Sequence, residues 1–460
     1  MGEAMTHYKG QFAEKIPKMF EYVIDELKYY LTLSKNGVEI SPVDGVWQSD
    51  TLIPKDLKDR LEEGVRMIEE NKKPDWHPGS DKKVKNIIHQ SMYPLVRGVT
   101  KDKRGKVIPL LGKADNRKHN DDVFESKKFQ WLPSDFMVDK SSNVTIASYI
   151  NNLDDENMKE TIGEIFEKFV PLFNNVLTDL VNPRPNRINI GGDWYEAGGM
   201  WKEMKRLYEI DKKAGKVPFE VDNEEDDDEM GDMINEYYGN KLEPIQPKVP
   251  KFEKPVKPKM IIDIRNRKLQ VIVKMANVEL SPGKEYDGGV WHVEGMRNES
   301  IIATGIYYYD IENMTESKLS FRQAVSDIKI DYEQNDVDGV EQIYGLETEE
   351  SHCNNDLGAI IAKKGRCIAF ANIFQHKIEP FKLMDNKKEG YRNTLCFFLV
   401  DPNKEIISTG DIPPQQKHLG GSMTESQAEK FRLELMKERK FLTNENTKEI
   451  FERPVSLCEH

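Results

Sequence analysis

Cysteine is scarce in this chain: four residues in 460, Cys353, Cys367, Cys396 and Cys458, with none before Cys353 and no Cys-x-x-Cys pair. That excludes a disulfide framework and the common thiolate zinc sites. Long apolar runs are missing as well. No stretch approaches the roughly eighteen residues of a membrane span, and Met1–Gly10 is polar with no apolar centre, so neither a span nor a secretory signal is expected. The expected location is cytoplasmic, with the nucleus open, and reducing. An excess of positive charge is also lacking: 67 Lys and Arg face 80 Asp and Glu, for a net charge of −13. This argues against nucleic-acid or membrane partners. Finally, Gly191-Gly192 and Gly198-Gly199 lack the strand–loop–helix setting of a phosphate loop, so no nucleotide site is read there.

What is present is a length that allows two or three domains at roughly 100–200 residues each, with 38% hydrophobic and 32% charged residues. Apolar positions at three-to-four spacing predict helices over Phe12–Leu33, Pro54–Asn71, Met158–Leu180 and Trp201–Lys213. Phe129–Pro133 and Asn143–Ile150 read as extended pieces. An acidic run, Asp222–Glu229, and the Pro- and Lys-rich Leu242–Lys259 then form a solvated connector that neither helix nor central strand tolerates. Beyond it the pattern becomes short strands: Ile261–Ile264, Leu269–Met275, Val290–Val293, Ile301–Tyr309, Gly358–Ile361, Cys367–Ala371 and Thr394–Val400, spaced as in a β-sandwich or barrel. Thr424-Glu425-Ser426-Gln427 is a capping box that opens a carboxy-terminal helix. The chain thus divides into a mainly helical region over 1–220, a connector over 221–259, a strand-rich core over 260–415 and helices over 416–460.

The chemistry concentrates in the core. Trp291-His292-Val293-Glu294-Gly295 places an imidazole and a carboxylate two residues apart, on one side of an extended chain. His376, following the apolar run Cys367–Ala371, supplies a second imidazole. Two His and one carboxylate leave open positions on an octahedral Fe(II), the arrangement of non-heme iron oxygenases. Arg392 then opens an otherwise apolar strand. A buried guanidinium requires an anion. A dicarboxylic co-substrate would supply one, with Thr394 on the same strand face adding a hydroxyl; an internal salt bridge to Glu389 or Asp385 is the alternative. Tyr307, Tyr308 and Tyr309 serve packing or pocket lining equally well. His89 reads as structural, Arg297, Asn298 and Glu299 as a solvated turn, and His352 with Cys353 as a polar loop.

In His292, Glu294, His376, Arg392 and Thr394, in that order, the chain resembles the Fe(II)- and 2-oxoglutarate-dependent dioxygenases. Glu294 stands where aspartate is commoner. More closely, Phe129–Ser134, Ser148–Leu153, Trp291–Met296, Ala303–Tyr309, Gly365–Phe370 and Pro413–Gln416 are similar to segments of the largely fungal, uncharacterised DUF4246 family. The resemblance implies an α+β protein with a double-stranded β-helix (jelly-roll) core over 260–415. It further implies Fe(II) held by His292, Glu294 and His376, and 2-oxoglutarate held by Arg392 and Thr394. The implied reaction uses O2, releases succinate and CO2, and hydroxylates a small-molecule or protein substrate. A non-catalytic β-helix binding protein, or a cupin-type metalloenzyme without 2-oxoglutarate, are the rival readings.

Overall fold

The computed structural model describes residues 11–111, 124–187, 200–217, 219, 227–238, 248–326, 330 and 337–457. Gly191-Gly192, Gly198-Gly199, Asp222–Asp226 and the first part of the Pro/Lys segment lie outside the described residues, as does Cys458. The helices are α1 Gln11–Leu33, α2 Lys55–Asn71, α3 Glu156–Val181, α4 Met200–Lys213, α5 Asp227–Tyr238, α6 Val337–Tyr344 and α7 Glu425–Asn446. All four helices expected in the amino-terminal half are present, and α3 continues through Pro171. Its Asp155 cap accepts a hydrogen bond from Met158 N, as a helix N-terminus with unpaired N–H groups requires. Thr424 and Gln427 form the expected capping box of α7. The acidic stretch behaves differently from expectation: from Asp227 onward it is helix α5, whose Ile234 and Tyr238 pack on Met204 and Tyr208 of α4.

The amino-terminal half carries short strands beside its helices. It carries strands β1 Glu39–Ile40, β2 Val46–Ser49, β3 Asp75–Trp76, β4 Val84–Ile88, β5 Leu95–Val96, β6 Phe129–Gln130, β7 Ser134–Val138 and β8 Val144–Ile146. β6 and β8 fall within the segments read as extended; the others are too short for the periodicity of their side chains to be read, and tertiary pairing fixes them. The second half supplies β9 Arg267–Leu280, β10 Glu285–Tyr286, β11 Ile301–Glu312, β12 Ser317–Ala324, β13 Asn354–Ala362, β14 Cys367–Ala371, β15 Phe374–Ile378, β16 Phe381–Lys382 and β17 Gly390–Val400. Two expected strands do not form. At Ile261–Ile264 the N–H groups of Ile262 and Ile264 go instead to Thr178 Oγ1 and Asn174 Oδ1 of α3. Val290–Val293 makes only a single bridge, His292 to His376.

The sheets are antiparallel throughout. The large one runs β1-β2-β14-β11-β17-β9-β4-β3, with β7 also on β9, and a smaller one runs β13-β12-β15; β10 pairs with β16. The amino-terminal half therefore completes the large sheet on both flanks. One apolar core extends from Val38 to Leu435 across the region boundaries drawn from composition.

Alternation on the large sheet separates two environments. Phe397 points out to Phe166 and Phe169 of α3, with ring centroids 5.2 Å from each. Gly305 on the neighbouring strand makes room: a Cβ there would stand 2.8 Å from Phe169 Cδ1. Phe398 points the other way and stacks on Trp131 at 5.9 Å. On that inner side the large sheet faces the small one, through Phe370 on Phe321 at 4.9 Å and Arg392 on Ser317. The candidate site lies there.

Candidate metal centre

His376 sits in the middle of β15, and the backbones of His292 and His376 pair directly. His292 N donates to His376 O at 3.2 Å, and His376 N donates to His292 O at 3.0 Å. Residues opposite each other in an antiparallel pair carry their side chains to the same face, so both imidazoles arrive together, centroids 4.4 Å apart. Gly288 permits the approach. Its φ of +90° suits glycine, and a Cβ would lie 2.9 Å from Ile378 O. Past His292 the chain leaves the sheet, so strand alternation does not aim Glu294. Asn372 holds it instead, accepting from Glu294 N and donating to Glu294 O, each at 2.8 Å. Trp291, beside His292, is covered by Arg322 at 4.6 Å and Lys377 at 4.9 Å.

The three side chains converge. Glu294 Oε1 lies 3.7 Å from His292 Nε2 and 3.5 Å from His376 Nε2. One ligand atom from each falls within 4.8 Å of the others. His292 Nδ1 donates to Val290 O at 2.8 Å, which fixes the tautomer and leaves the Nε2 lone pair free for an ion. Burial tends to raise the Glu294 carboxyl, but the two imidazoles beside it hold it well below the ordinary range. Burial, then the neighbouring His292, depresses His376. Burial also works against charge on His292, and Glu294 outweighs it, so that imidazole is raised. An ionised carboxylate and a neutral His376 are the states that metal ligands need. The residues present therefore fit a divalent cation of the Fe(II) type.

Arg392 lies on β17, 4% exposed. Its Nη1 donates to Ser317 Oγ at 2.8 Å, its guanidinium carbon is 5.7 Å from the Tyr308 ring and 5.1 Å from that of Phe381, and its Nε has no partner. Among the described residues no carboxylate pairs with it; Asp385, one of the two expected alternatives, pairs with Lys388 at 3.5 Å. Thr394 shares the Arg392 face, but its hydroxyl donates to Ala276 O at 2.7 Å. That proton is committed to the backbone. The three tyrosines are buried: burial raises Tyr308 to about 12, while Tyr309 donates to Asn277 Oδ1 at 2.9 Å. Glu299, read as part of a solvated turn, is fully buried and ion-paired to Arg439.

A cavity of about 520 Å³ opens beside His292 and Glu294, lined among others by Gln90, Trp131, Lys274, Met296 and Asn372. Arg439, Leu442, Thr443 and Asn446, one face of α7, form a wall. Sequence reasoning missed Lys274, Asn372 and this helix face. Lys274 carried a legible signal: it interrupts the apolar run Leu269–Met275 as Arg392 interrupts its own strand. Asn372 carried none, because its role is a contact between segments far apart in the chain.

A His/Glu/His cluster, with Glu294 and His376 buried and His292 partly so, within a mixed α/β fold of antiparallel sheets and helices defines a candidate metal protein. The chain belongs to the DUF4246 family, described as proteins of unknown function, whose profile matches residues 17–422. No curated protein matches it. Among solved structures it is similar to the Fe(II)/α-ketoglutarate-dependent dioxygenase TqaL, at 9% identity and a TM-score of 0.31, covering 77% of this chain and 80% of that one. It is also similar to the non-heme monooxygenase ThoJ in its nickel complex, at 10% identity and a TM-score of 0.19, covering 38% and 66%. IDO from Bacillus thuringiensis matches at 8% identity and a TM-score of 0.19, covering 29% and 46%. At these TM-scores the likenesses carry no argument, and the site is read from its own geometry. No described helix is long and apolar enough to cross a membrane.

Proposed function

We propose that the protein is an Fe(II)- and 2-oxoglutarate-dependent oxygenase that hydroxylates a substrate C–H bond. The convergence of His292, Glu294 and His376 carries the reading: three ligand atoms from two separate segments, within 4.8 Å, on the inner side of the sheets. The order β14-β11-β17-β9, opposed by β13-β12-β15 with β10-β16 alongside, supports a double-stranded β-helix core. His292, Glu294 and His376 would hold the iron, which when bound supplies oxygen activation coupled to decarboxylation of 2-oxoglutarate into succinate and CO2.

The residues of the chain bind and orient. Arg392 offers a buried guanidinium with no carboxylate partner among the described residues, the condition under which a co-substrate carboxylate is bound strongly. Tyr308 and Phe381 confine the guanidinium, and Ser317 fixes Nη1. Thr394 joins this anchor only by turning its O–H away from Ala276. A cupin-type enzyme using no co-substrate would leave the Arg392 charge unanswered. The test is anaerobic addition of Fe(II) and then 2-oxoglutarate to the full chain. A weak visible charge-transfer band is expected, and its absence in folded protein would overturn the co-substrate assignment.

A further inference from the structure

The cavity beside the triad contradicts the charge of the whole chain. The chain carries −13, yet among the described residues that line the cavity Lys274, Arg297, Lys404 and Arg439 are basic and Glu294 and Asp401 acidic. Glu294 belongs to the metal cluster, and Asp401 accepts the Asn403 N–H at 2.9 Å.

Lys274 shares the cavity with His292 and Glu294. It lies at the centre of β9, paired across to Cys396 of β17, on the inner side with Arg392 and Thr394. Its charge acts on His292, Glu294 and His376 alike. Among the described residues it has no ion pair and no hydrogen-bond partner for its ammonium group. Lys274 is half-buried and lines the open cavity, where an entering anion would meet its charge. Arg439, on the opposite wall, spends Nη2 on Glu299 and stacks over Trp131 at 3.8 Å, while its Nε and Nη1 have no partner. Trp131, Met296 and Leu442 give the same cavity apolar surface.

We propose that this cavity selects a small substrate bearing a carboxylate on an apolar body, with the carboxylate held by Lys274 beside the metal and the body against Trp131 and Leu442. The inference rests on the oxygenase reading above and adds its substrate class. Arg392 and Lys274 then divide the work: the enclosed guanidinium takes the co-substrate, and the ammonium in the open cavity takes the substrate. Lys274 is a specificity-determining residue that fixes which C–H bond faces the iron.

The test uses the full chain loaded with Mn(II) as a paramagnetic substitute, with saturating 2-oxoglutarate, and reads proton relaxation of two probes. These are 3-phenylpropionate and its uncharged analogue 3-phenylpropanamide. The carboxylate is expected to bind about tenfold more tightly than the amide, as one charge-assisted contact gives. Lys274→Gln should abolish the difference and Lys274→Arg should keep it. Equal relaxation of the two probes by the wild-type protein would overturn the proposal without recourse to any variant. So would discrimination that persists in folded Lys274→Gln, or a loss of 2-oxoglutarate binding in that variant, which would make Lys274 the co-substrate anchor. Failure of Mn(II) to bind at all is read separately, from bulk-water relaxation, and would remove the metal-centre reading itself.

Discussion

Asn372 grips Glu294 by its backbone on both sides, accepting from its N–H and donating to its carbonyl, each at 2.8 Å. A third bond, from the Asn372 amide to Ile301 O at 3.1 Å, ties this clasp to β11. The carboxylate is thus aimed by a side chain outside the His/Glu/His cluster. Asn372→Ala should lower metal affinity by about 10–100-fold, the usual cost of losing such support, while leaving the fold intact. Calorimetric titration with Fe(II) or Mn(II), alongside circular dichroism, checks both halves of the prediction.

The triad and Arg392 should separate cleanly. His376→Ala is expected to abolish iron retention. Arg392→Ala should retain iron and weaken 2-oxoglutarate by on the order of 2 kcal/mol, roughly thirtyfold in Kd. Iron content by metal analysis and co-substrate affinity by titration measure the two effects. Equal losses of both ligands in both variants would contradict the division of roles.

Gly305 tests the packing that supports the site from behind. A Cβ there would stand 2.8 Å from Phe169 Cδ1 and 2.9 Å from Phe173 Cζ, both rings of α3 in the core. Gly305→Ala should destabilise by about 1–3 kcal/mol, as overpacking does. Urea unfolding should show a lower midpoint, with metal affinity of the folded protein unchanged.

His77 gives a pH dependence of stability. Burial, reinforced by Lys274, pushes its imidazole down to about 4 from an ordinary value near 6.5, against a hydrogen bond that the ring donates to Asn86. Its ring stacks on that of His89 at 5.2 Å. The folded state favours neutral His77, so this contribution is fully present above about pH 6.5 and is lost as pH falls toward 4. His77→Gln should flatten the decline of urea midpoint over that window. An unchanged slope would show that His77 is not its source.

The helical parts were legible because their signal is local. Ile162, Ile165, Phe166, Phe169, Phe173, Val176 and Leu177 recur at helical spacing, and all are buried in α3. The Thr424 capping box likewise needs only its own turn. Long strands such as β11 and β17 were legible from their apolar runs. Of the short strands, β6 and β8 fell within segments read as extended, whereas β1 to β5 and β7 were not legible, since two to five residues carry no period; Ile261–Ile264 misled because an apolar run says nothing about whether α3 takes its N–H groups. At the site, the types and order of His292, Glu294, His376 and Arg392 were visible.

By itself, then, the sequence determined which groups were available: two imidazoles, a carboxylate, an arginine inside an apolar strand, and apolar faces able to bury it. Tertiary structure alone decided that the backbones of His292 and His376 pair, that Asn372 aims Glu294, that Thr394 spends its proton on Ala276, and that Lys274 meets α7 across a shared cavity. The reason is physical. Local periodicity fixes the face a side chain occupies, whereas ligation and charge complementarity depend on distances between segments that only packing of the sheets sets.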